Sequence, residues 1–193
     1  MIWALENGEK VRAEPHQRAI CPLCKNEVIA KCGDIKINHW AHKINSVCDS
    51  FKESETEWHL NWKDKFPKEY QEVIVTKNYK KHIADVRTKD GLVIEFQNSP
   101  ISPQEIFSRE HFWENMVWVV NGKTIGKNLT FYKQKFKWKW MPRSWELARK
   151  KVYLDVGNDY LYLLKDIYKR GKFQLYSKEA FIIQNGGNPF KND

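Results

Sequence analysis

The sequence predicts an α+β protein in two unequal parts: a small β-rich N-terminal module, then a core ordered helix, three strands, helix, strand. Three observations predict it. All four cysteines fall within the first 48 residues, in a short turn-rich stretch. From residue 53 the texture changes to longer segments with helical or strand periodicity. The chain has 193 residues, 41% of them hydrophobic, enough for one ordinary domain and a small module. The expected division is 1–50 for the β-rich module, 51–122 for the core, and 123–193 for a basic, aromatic-rich extension packing on the core. No apolar run approaches the ~18–20 residues that span a membrane. The first residues, Met1-Ile2-Trp3-Ala4-Leu5-Glu6, lack a basic stretch followed by an apolar one. A cytoplasmic protein without a membrane partner is therefore expected.

In the module, Trp3-Ala4-Leu5 and Lys10-Val11-Arg12-Ala13 flank an Asn7-Gly8 turn and predict a hairpin. Val28-Ile29-Ala30 and Ile35-Lys36-Ile37 read as strands around Gly33-Asp34. In the core, Glu53 to Phe66 has helical character, with Ser54 as cap and Pro67 as stop. Val73-Ile74-Val75, His82 to Arg87 and Leu92 to Gln97 read as three strands. Ser102-Pro103-Gln104-Glu105 begins a helix running to about Asn115, with Ser102 capping and Pro103 in the first turn. Met116 to Val120 is a strongly apolar fourth strand. Further on, Ser144 to Lys151 reads as helical, Tyr160 to Leu164 and Phe173 to Tyr176 as strands or a strand and a helix, and Asn185 to Pro189 as a loose tail.

Cys21-Pro22-Leu23-Cys24 is a C-x-x-C, followed by His39-Trp40-Ala41-His42 and Cys48. Two short pairs of N and S donors separated by a loop suit the tetrahedron of a structural Zn²⁺. Clustered cysteines in a reducing cytosol point the same way. Five residues compete for four positions: Cys21, Cys24, His39, His42 and Cys48. If His39 and His42 lie on a strand, their odd spacing puts them on opposite faces, and His42 with Cys48 becomes the better pair. A turn at Trp40-Ala41 would let both histidines bind. Cys32 reads as a structural or free thiol.

A second constellation lies around Asp85 and Glu95. If Lys89-Asp90-Gly91 is a three-residue loop with Gly91 left-handed, Thr88 faces Leu92 and Asp85 falls opposite Glu95. Their Cβ atoms would be about 5 Å apart. Gln97 joins them on that face, while Ala84, Val86, Ile94 and Phe96 form an apolar face that selects the register. Two carboxylates this close call for a cation. Mg²⁺ or Mn²⁺ suits such an oxygen site facing phosphates. That expectation requires the acids to share a face with no side-chain cation filling the gap. On spacing alone, the polar, solvent-facing side of a hairpin is the better reading.

An Asp, a short hairpin and then Glu-x-Gln within this element order resembles the PD-(D/E)XK nuclease core. The combination with Cys21-Pro22-Leu23-Cys24, His39-Trp40-Ala41-His42-Lys43, Cys48, Glu57-Trp58-His59, Trp62-Lys63, Ala84-Asp85-Val86, Ile94 to Ser99 and Arg109 resembles the competence protein CoiA-like family over residues 1 to 122. The resemblance implies Asp85 and Glu95 as ligands of a catalytic Mg²⁺ or Mn²⁺. It puts Gln97 in the place of the usual lysine, orienting the water, and makes Glu57 the helix acid that completes the site. Glutamine offers hydrogen bonds and no charge, so Lys63 is the expected donor of positive charge. His59 and Lys63 are four apart and share a helix face; both can be catalytic or structural. Glu57 lies about 160° from His59, so the two cannot both point into one site. Trp58, Trp62 and Phe66 read as core, and His82 and His111 as structural. The implied activity is phosphodiester hydrolysis, in DNA above RNA; the alternative is a nucleic-acid-binding protein with the same fold and no cleavage.

The net charge is +9. Lys123 to Lys151 holds ten Lys or Arg against one acid, Glu146. Such a localised charge fits a polyanion partner or a solvated basic face. Within it, Phe131 to Trp140 alternates rings and cations. Extended, this run puts Lys133, Lys135, Lys137 and Lys139 on one face, able to follow a phosphate backbone. Tyr132, Phe136, Trp138 and Trp140 fall on the other, packing on the sheet or stacking on bases.

Overall fold

The computed structural model describes every residue except 35, 44–47, 52, 166, 168–169 and 191–193. The N-terminal module is a five-stranded sheet in the order β2-β1-β3-β4-β5. Its strands are β1 (Ala4–Glu6), β2 (Glu9–Val11), β3 (Arg18–Ile20), β4 (Glu27–Lys31) and β5 (His39–His42). The hairpin turns on Asn7 and Gly8, both at positive φ as a tight two-residue turn requires. The strand pairing with β4 is β5, not Ile35-Lys36-Ile37: Ile35 lies outside the described residues, and Lys36 and Ile37 are not in a strand. The small core holds Met1, Val28 and Trp40.

The rest of the described chain builds a mixed nine-stranded sheet with helices. In order come α1 (Glu57–Lys63), β6 (Gln71–Lys77), β7 (Lys80–Arg87), β8 (Val93–Gln97), α2 (Pro103–Trp113), β9 (Met116–Asn121), α3 (Gly122–Ile125), β10 (Leu129–Tyr132), β11 (Lys135–Trp138), β12 (Lys151–Asp155), β13 (Tyr160–Lys165), β14 (Arg170–Ser177) and α4 (Lys178–Gln184). The strand order is β10-β11-β14-β13-β12-β9-β8-β7-β6. β9 sits parallel between β8 and β12. It is buried at every position, as its unbroken apolar run demands.

Local rules explain most boundaries. α2 starts with a complete capping box between Ser102 and Glu105 and carries Pro103 in its first turn. α1 starts at Glu57 rather than Glu53, because Thr56 is its cap and accepts from the His59 amide. The stretch Ser144 to Lys151 is a 3-10 turn over Arg143–Leu147 and then strand β12. β12 was not anticipated; its Val152-Tyr153-Leu154 is apolar but too short to separate from a helix by periodicity. Asn185 to Pro189 is not loose. The Asn188 amide donates to the Lys65 carbonyl at 2.7 Å. A Cβ at Gly187 would lie 2.6 Å from that same carbonyl, so only glycine allows the approach.

One apolar layer packs α2 against Trp118, Val120, Val152 and Leu154. The opposite layer packs α1 and α4 against Phe96, Val119, Tyr153 and Leu163. Trp58 and Trp62 both donate their indole N–H to Asp155 at 2.9 Å, so the aromatic stripe is core with a polar anchor. No helix among the described residues is long and apolar enough to cross a membrane.

Candidate functional site

In the module, Cys21 and Cys24 lie on the turn after β3, where the Lys25 amide bonds back to the Cys21 carbonyl. His42 ends β5, and Cys48 follows. The donor atoms of Cys21, Cys24, His42 and Cys48 all lie within 4.8 Å of one another. The Cys21 and Cys48 sulfurs are 3.8 Å apart, and Cys24 Sγ is 3.2 Å from His42 Nε2. A tetrahedron with ~2.3 Å Zn–S bonds has an edge of about 3.8 Å, so the set fits Zn²⁺. Burial, then the neighbouring Cys21, pushes Cys48 up to about 12; a bound cation removes that penalty. His39 is excluded. It lies on the other side of the extended β5, with its Nδ1 2.9 Å from the Ile37 carbonyl. Cys32 also stands apart, near the Ala13 carbonyl.

In the core, the hairpin register is the expected one: Val86 pairs with Ile94 and Arg87 with Val93. Gly91 takes φ +79° and its amide returns to the Thr88 carbonyl. Beyond Val86 the strands part. The Phe96 amide donates to Asp85 at 3.0 Å, and the Asp85 amide to Glu95 at 3.4 Å. The two carboxylates therefore take ladder positions and line a cavity of about 40 Å³. That is room for a few groups the size of water.

Six carboxylates line this cavity: Asp49, Glu53, Glu55, Glu72, Asp85 and Glu95. Against them stand Lys63 and Arg109, with the Met1 amino group 3.7 Å from Glu55. The gap between Asp85 and Glu95 is not free of cations. Lys63 Nζ is 2.9 Å from Asp85, 2.9 Å from Glu55 and 3.2 Å from Glu72. Arg109 is 3.1 Å from Glu95. The acids still outnumber these partners. Glu53 Oε1 and Glu55 Oε2 are buried with no hydrogen-bond partner among the described residues. Burial, then the Asp85 charge, pushes Glu95 up to about 8 in spite of Arg109. Burial also opposes ionisation of Glu55, but Lys63 overrides it and holds that carboxyl at about 2. Lys63 is itself held well above its ordinary range: burial opposes its charge, and Asp85, Glu55 and Glu72 prevail. Lys63 and Arg109 thus stand where the expected metal ion would, so the requirement that no side-chain cation fill the gap is not met.

α1 turns His59 and Lys63 into this cavity, both buried. Glu57 is exposed and does not line it, which corrects its place as the helix acid. Because Thr56 caps the helix and α1 begins at Glu57, Glu53 and Glu55 are left in the run before it and line the cavity instead. Glu53 bonds His59 Nε2 at 3.2 Å and the Asn98 amide at 3.0 Å. Burial works against a charged His59, yet that bond and the nearby Asp85 raise its pKa. Gln97 shares the parity of Glu95 and is buried, but its amide donates to the Ser99 carbonyl at 3.0 Å and it does not line the cavity. Its Oε1 has no hydrogen-bond partner among the described residues.

Several of these acids were not legible in the sequence. Glu53 and Glu55 looked like first-turn helix acids, and only their two-residue spacing hinted at an extended run. Glu72 gave no signal. It sits at φ +45° between the Gln71↔Val86 and Val73↔Ala84 pairs, and accepts the Ile2 and Trp3 amides at 2.8 and 3.0 Å. Asp49 accepts from the Ile83 amide and pairs with His82 at 2.7 Å, while Phe51 stacks on that ring at 3.6 Å. The module and the core thus meet at the cavity, which His42 and Cys48 also line.

The basic run is not one extended strand. It turns at Lys133, whose φ is +51°, so β10 and β11 form a hairpin with Tyr132 opposite Lys135. Lys135 and Lys137 share an exposed face. Lys133 lies in the turn and Lys139 beyond the strand. Phe136 and Trp138 are buried on the other face, but Tyr132 sits on the lysine face and Trp140 is exposed, which corrects the grouping of the four rings.

Residues 5–51 match the family described as Competence protein CoiA, N-terminal domain. This bears out the CoiA-like resemblance over the module that carries the Cys/His cluster; the match does not extend to residues 52–122, where the resemblance was also expected. No curated protein and no solved structure matches the chain.

Proposed function

We propose that this chain, CoiA-like over residues 5–51, is a metal-dependent nuclease that hydrolyses phosphodiester bonds in nucleic acid, DNA above RNA. The observation that carries the reading is the excess of carboxylate around one small cavity, with two buried carboxylate oxygens that have no hydrogen-bond partner among the described residues. Asp85 and Glu95 would hold Mg²⁺ or Mn²⁺, with Glu53 and Glu55 within the same cavity. Such an ion supplies a Lewis acid for the phosphate and lowers the pKa of a bound water. Lys63 then has two roles. It balances Asp85, Glu55 and Glu72, and it presents the positive charge that Gln97 cannot offer. His59, hydrogen-bonded through Nε2 to Glu53 and through Nδ1 to the Thr56 hydroxyl, is held in one orientation at the cavity wall. Zn²⁺ on Cys21, Cys24, His42 and Cys48 would fix the wall that the module contributes.

A second reading has its own support. The Lys63–Asp85 and Arg109–Glu95 pairs are what a fold that binds nucleic acid without cutting it would use to neutralise these acids. The two readings separate in one assay. The zinc-loaded protein and Asp85→Ala are incubated with single- and double-stranded DNA and RNA in Mg²⁺ or Mn²⁺. The nuclease reading expects metal-dependent cleavage by the wild type and a loss of at least a hundredfold in the variant. Cleavage that persists in Asp85→Ala, or binding without cleavage by the wild type, removes it.

A further inference from the structure

Beyond the cavity, one face of the sheet carries a charge pattern that packing does not explain. At the β10 edge, Phe131, Phe136, Trp138 and Phe173 pack into the α2-side layer. Strand alternation puts Tyr132, Lys135, Lys137, Lys165, Arg170 and Lys172 on the reverse face. Register sets Lys135 opposite Lys172 and Lys137 opposite Arg170. Lys165 faces Lys172 from the other side. Like charges directly opposed destabilise a sheet, so the fold tolerates this arrangement rather than needing it. All five cations are exposed. None of them pairs with a carboxylate among the described residues. Tyr132 stands beside them, 72% exposed.

This face is remote from Asp85 and Glu95. Five strand steps separate β11 from β8, about 24 Å at ~4.8 Å each. Following the register through Gln174, Leu163, Tyr153, Val119 and Phe96 traces a single face. Glu95, next to Phe96 in β8, points the other way. These cations therefore do not serve the reacting phosphate.

We propose that this face is a docking platform for a single nucleic-acid strand, with phosphates on the five cations and a base stacked on Tyr132. The proposal rests on the reading of the chain as acting on nucleic acid and adds a second contact, outside the cavity. An open sheet with an exposed ring suits unpaired bases, because a duplex hides the faces that stack.

The test is fluorescence anisotropy with a labelled oligothymidylate about 20 nucleotides long and a duplex of equal length. It is run without added divalent ions, so cleavage does not intervene, over a series of KCl concentrations. The wild type should bind the single strand more tightly than the duplex. Lys135→Ala/Lys172→Ala should weaken single-strand binding at least tenfold and flatten the salt dependence by about 1.4, at ~0.7 per cation. Lys135→Arg/Lys172→Arg should restore both. Tyr132→Ala should weaken binding about fivefold or more with the salt slope unchanged. The Tm of the double alanine variant should equal or exceed the wild type's, since the removed pairs repel. No oligonucleotide binding by the wild type, unchanged affinity in the double variant, a duplex preference, or a lowered Tm would overturn the platform. Binding that behaves as expected in a protein that never cleaves sinks the nuclease and leaves the platform standing; cleavage with binding unchanged in the double variant does the reverse.

Discussion

The two candidate metal sites are built on opposite plans. The Cys/His site takes four donors from one module of about fifty residues, all within 4.8 Å of each other. The acidic cavity takes carboxylates from the run before α1, from β6, β7 and β8, and from the end of the module, then ties several of them to Lys63 and Arg109. The first is a closed set of soft donors with no spare position, as a structural zinc requires. The second is a charge-rich network in which two buried carboxylate oxygens have no hydrogen-bond partner among the described residues. They share a wall through His42, Cys48 and Asp49, so losing the first should damage the second.

The largest expected effect is loss of zinc. Structural Zn²⁺ contributes on the order of 10 kcal/mol to a small domain. Cys24→Ser, or a strong chelator, should unfold the N-terminal sheet and lower Tm by more than 10 °C. His39→Ala should keep one zinc per chain by native mass spectrometry. Loss of zinc from His39→Ala would overturn the ligand assignment.

Next is Lys63→Met. It removes the cation shared by Glu55, Glu72 and Asp85 and should cost about 3–5 kcal/mol by urea denaturation. If the cavity accepts a divalent ion, Mn²⁺ should restore part of that loss. A cost under 1 kcal/mol would mean that these acids do not depend on Lys63.

Glu95 gives a pH signature. In the unfolded chain it releases its proton near 4.3, whereas the native site holds it to about 8. Stability without divalent ions should therefore fall as pH rises from about 4.5 to 8. Glu55, held at about 2, gains its contribution above the ordinary carboxylate range and loses it only as pH falls towards 2, so it does not mask this window. Relative to the wild type, Glu95→Gln should gain stability steadily as pH rises from 5 to 8 by denaturant titration. Parallel pH profiles would contradict a Glu95 whose burial and Asp85 neighbour outweigh its pairing with Arg109.

The smallest effect belongs to the turn. Gly91→Ala forces a Cβ onto φ +79° but meets nothing closer than Arg87 Nη2 at 3.7 Å. Only the backbone penalty remains, about 1–2 kcal/mol. A measured cost above 3 kcal/mol would point to a clash instead.

The same contrast explains what was legible in the sequence. The zinc donors are short-range pairs on a turn and a strand, and spacing alone narrowed them to five residues. The extended form of β5 then removed His39. The register around Gly91 was legible because a one-residue slip would bury carboxylates and expose Ile94 and Phe96. Glu72 and Asp49 were not, because they reach the cavity through a left-handed residue and a loop, and neither has a periodic signature. Glu57 misled for a related reason. An acid at the start of a helix looks the same whether it faces a site or solvent, and only the cap at Thr56 fixes the helix phase. Tyr132 was misplaced because a turn at Lys133 reverses a run whose alternation reads as one strand.

The central claim is that the acidic cavity holds a divalent cation in addition to the zinc of the module. Calorimetric titration of Mn²⁺ into the zinc-loaded protein at pH 8 tests it directly, with Asp85→Ala beside the wild type. The expected result is one Mn²⁺ per chain in the wild type, none in the variant, and zinc retained in both. Absence of Mn²⁺ binding by the wild type, or equal binding by Asp85→Ala, would contradict it.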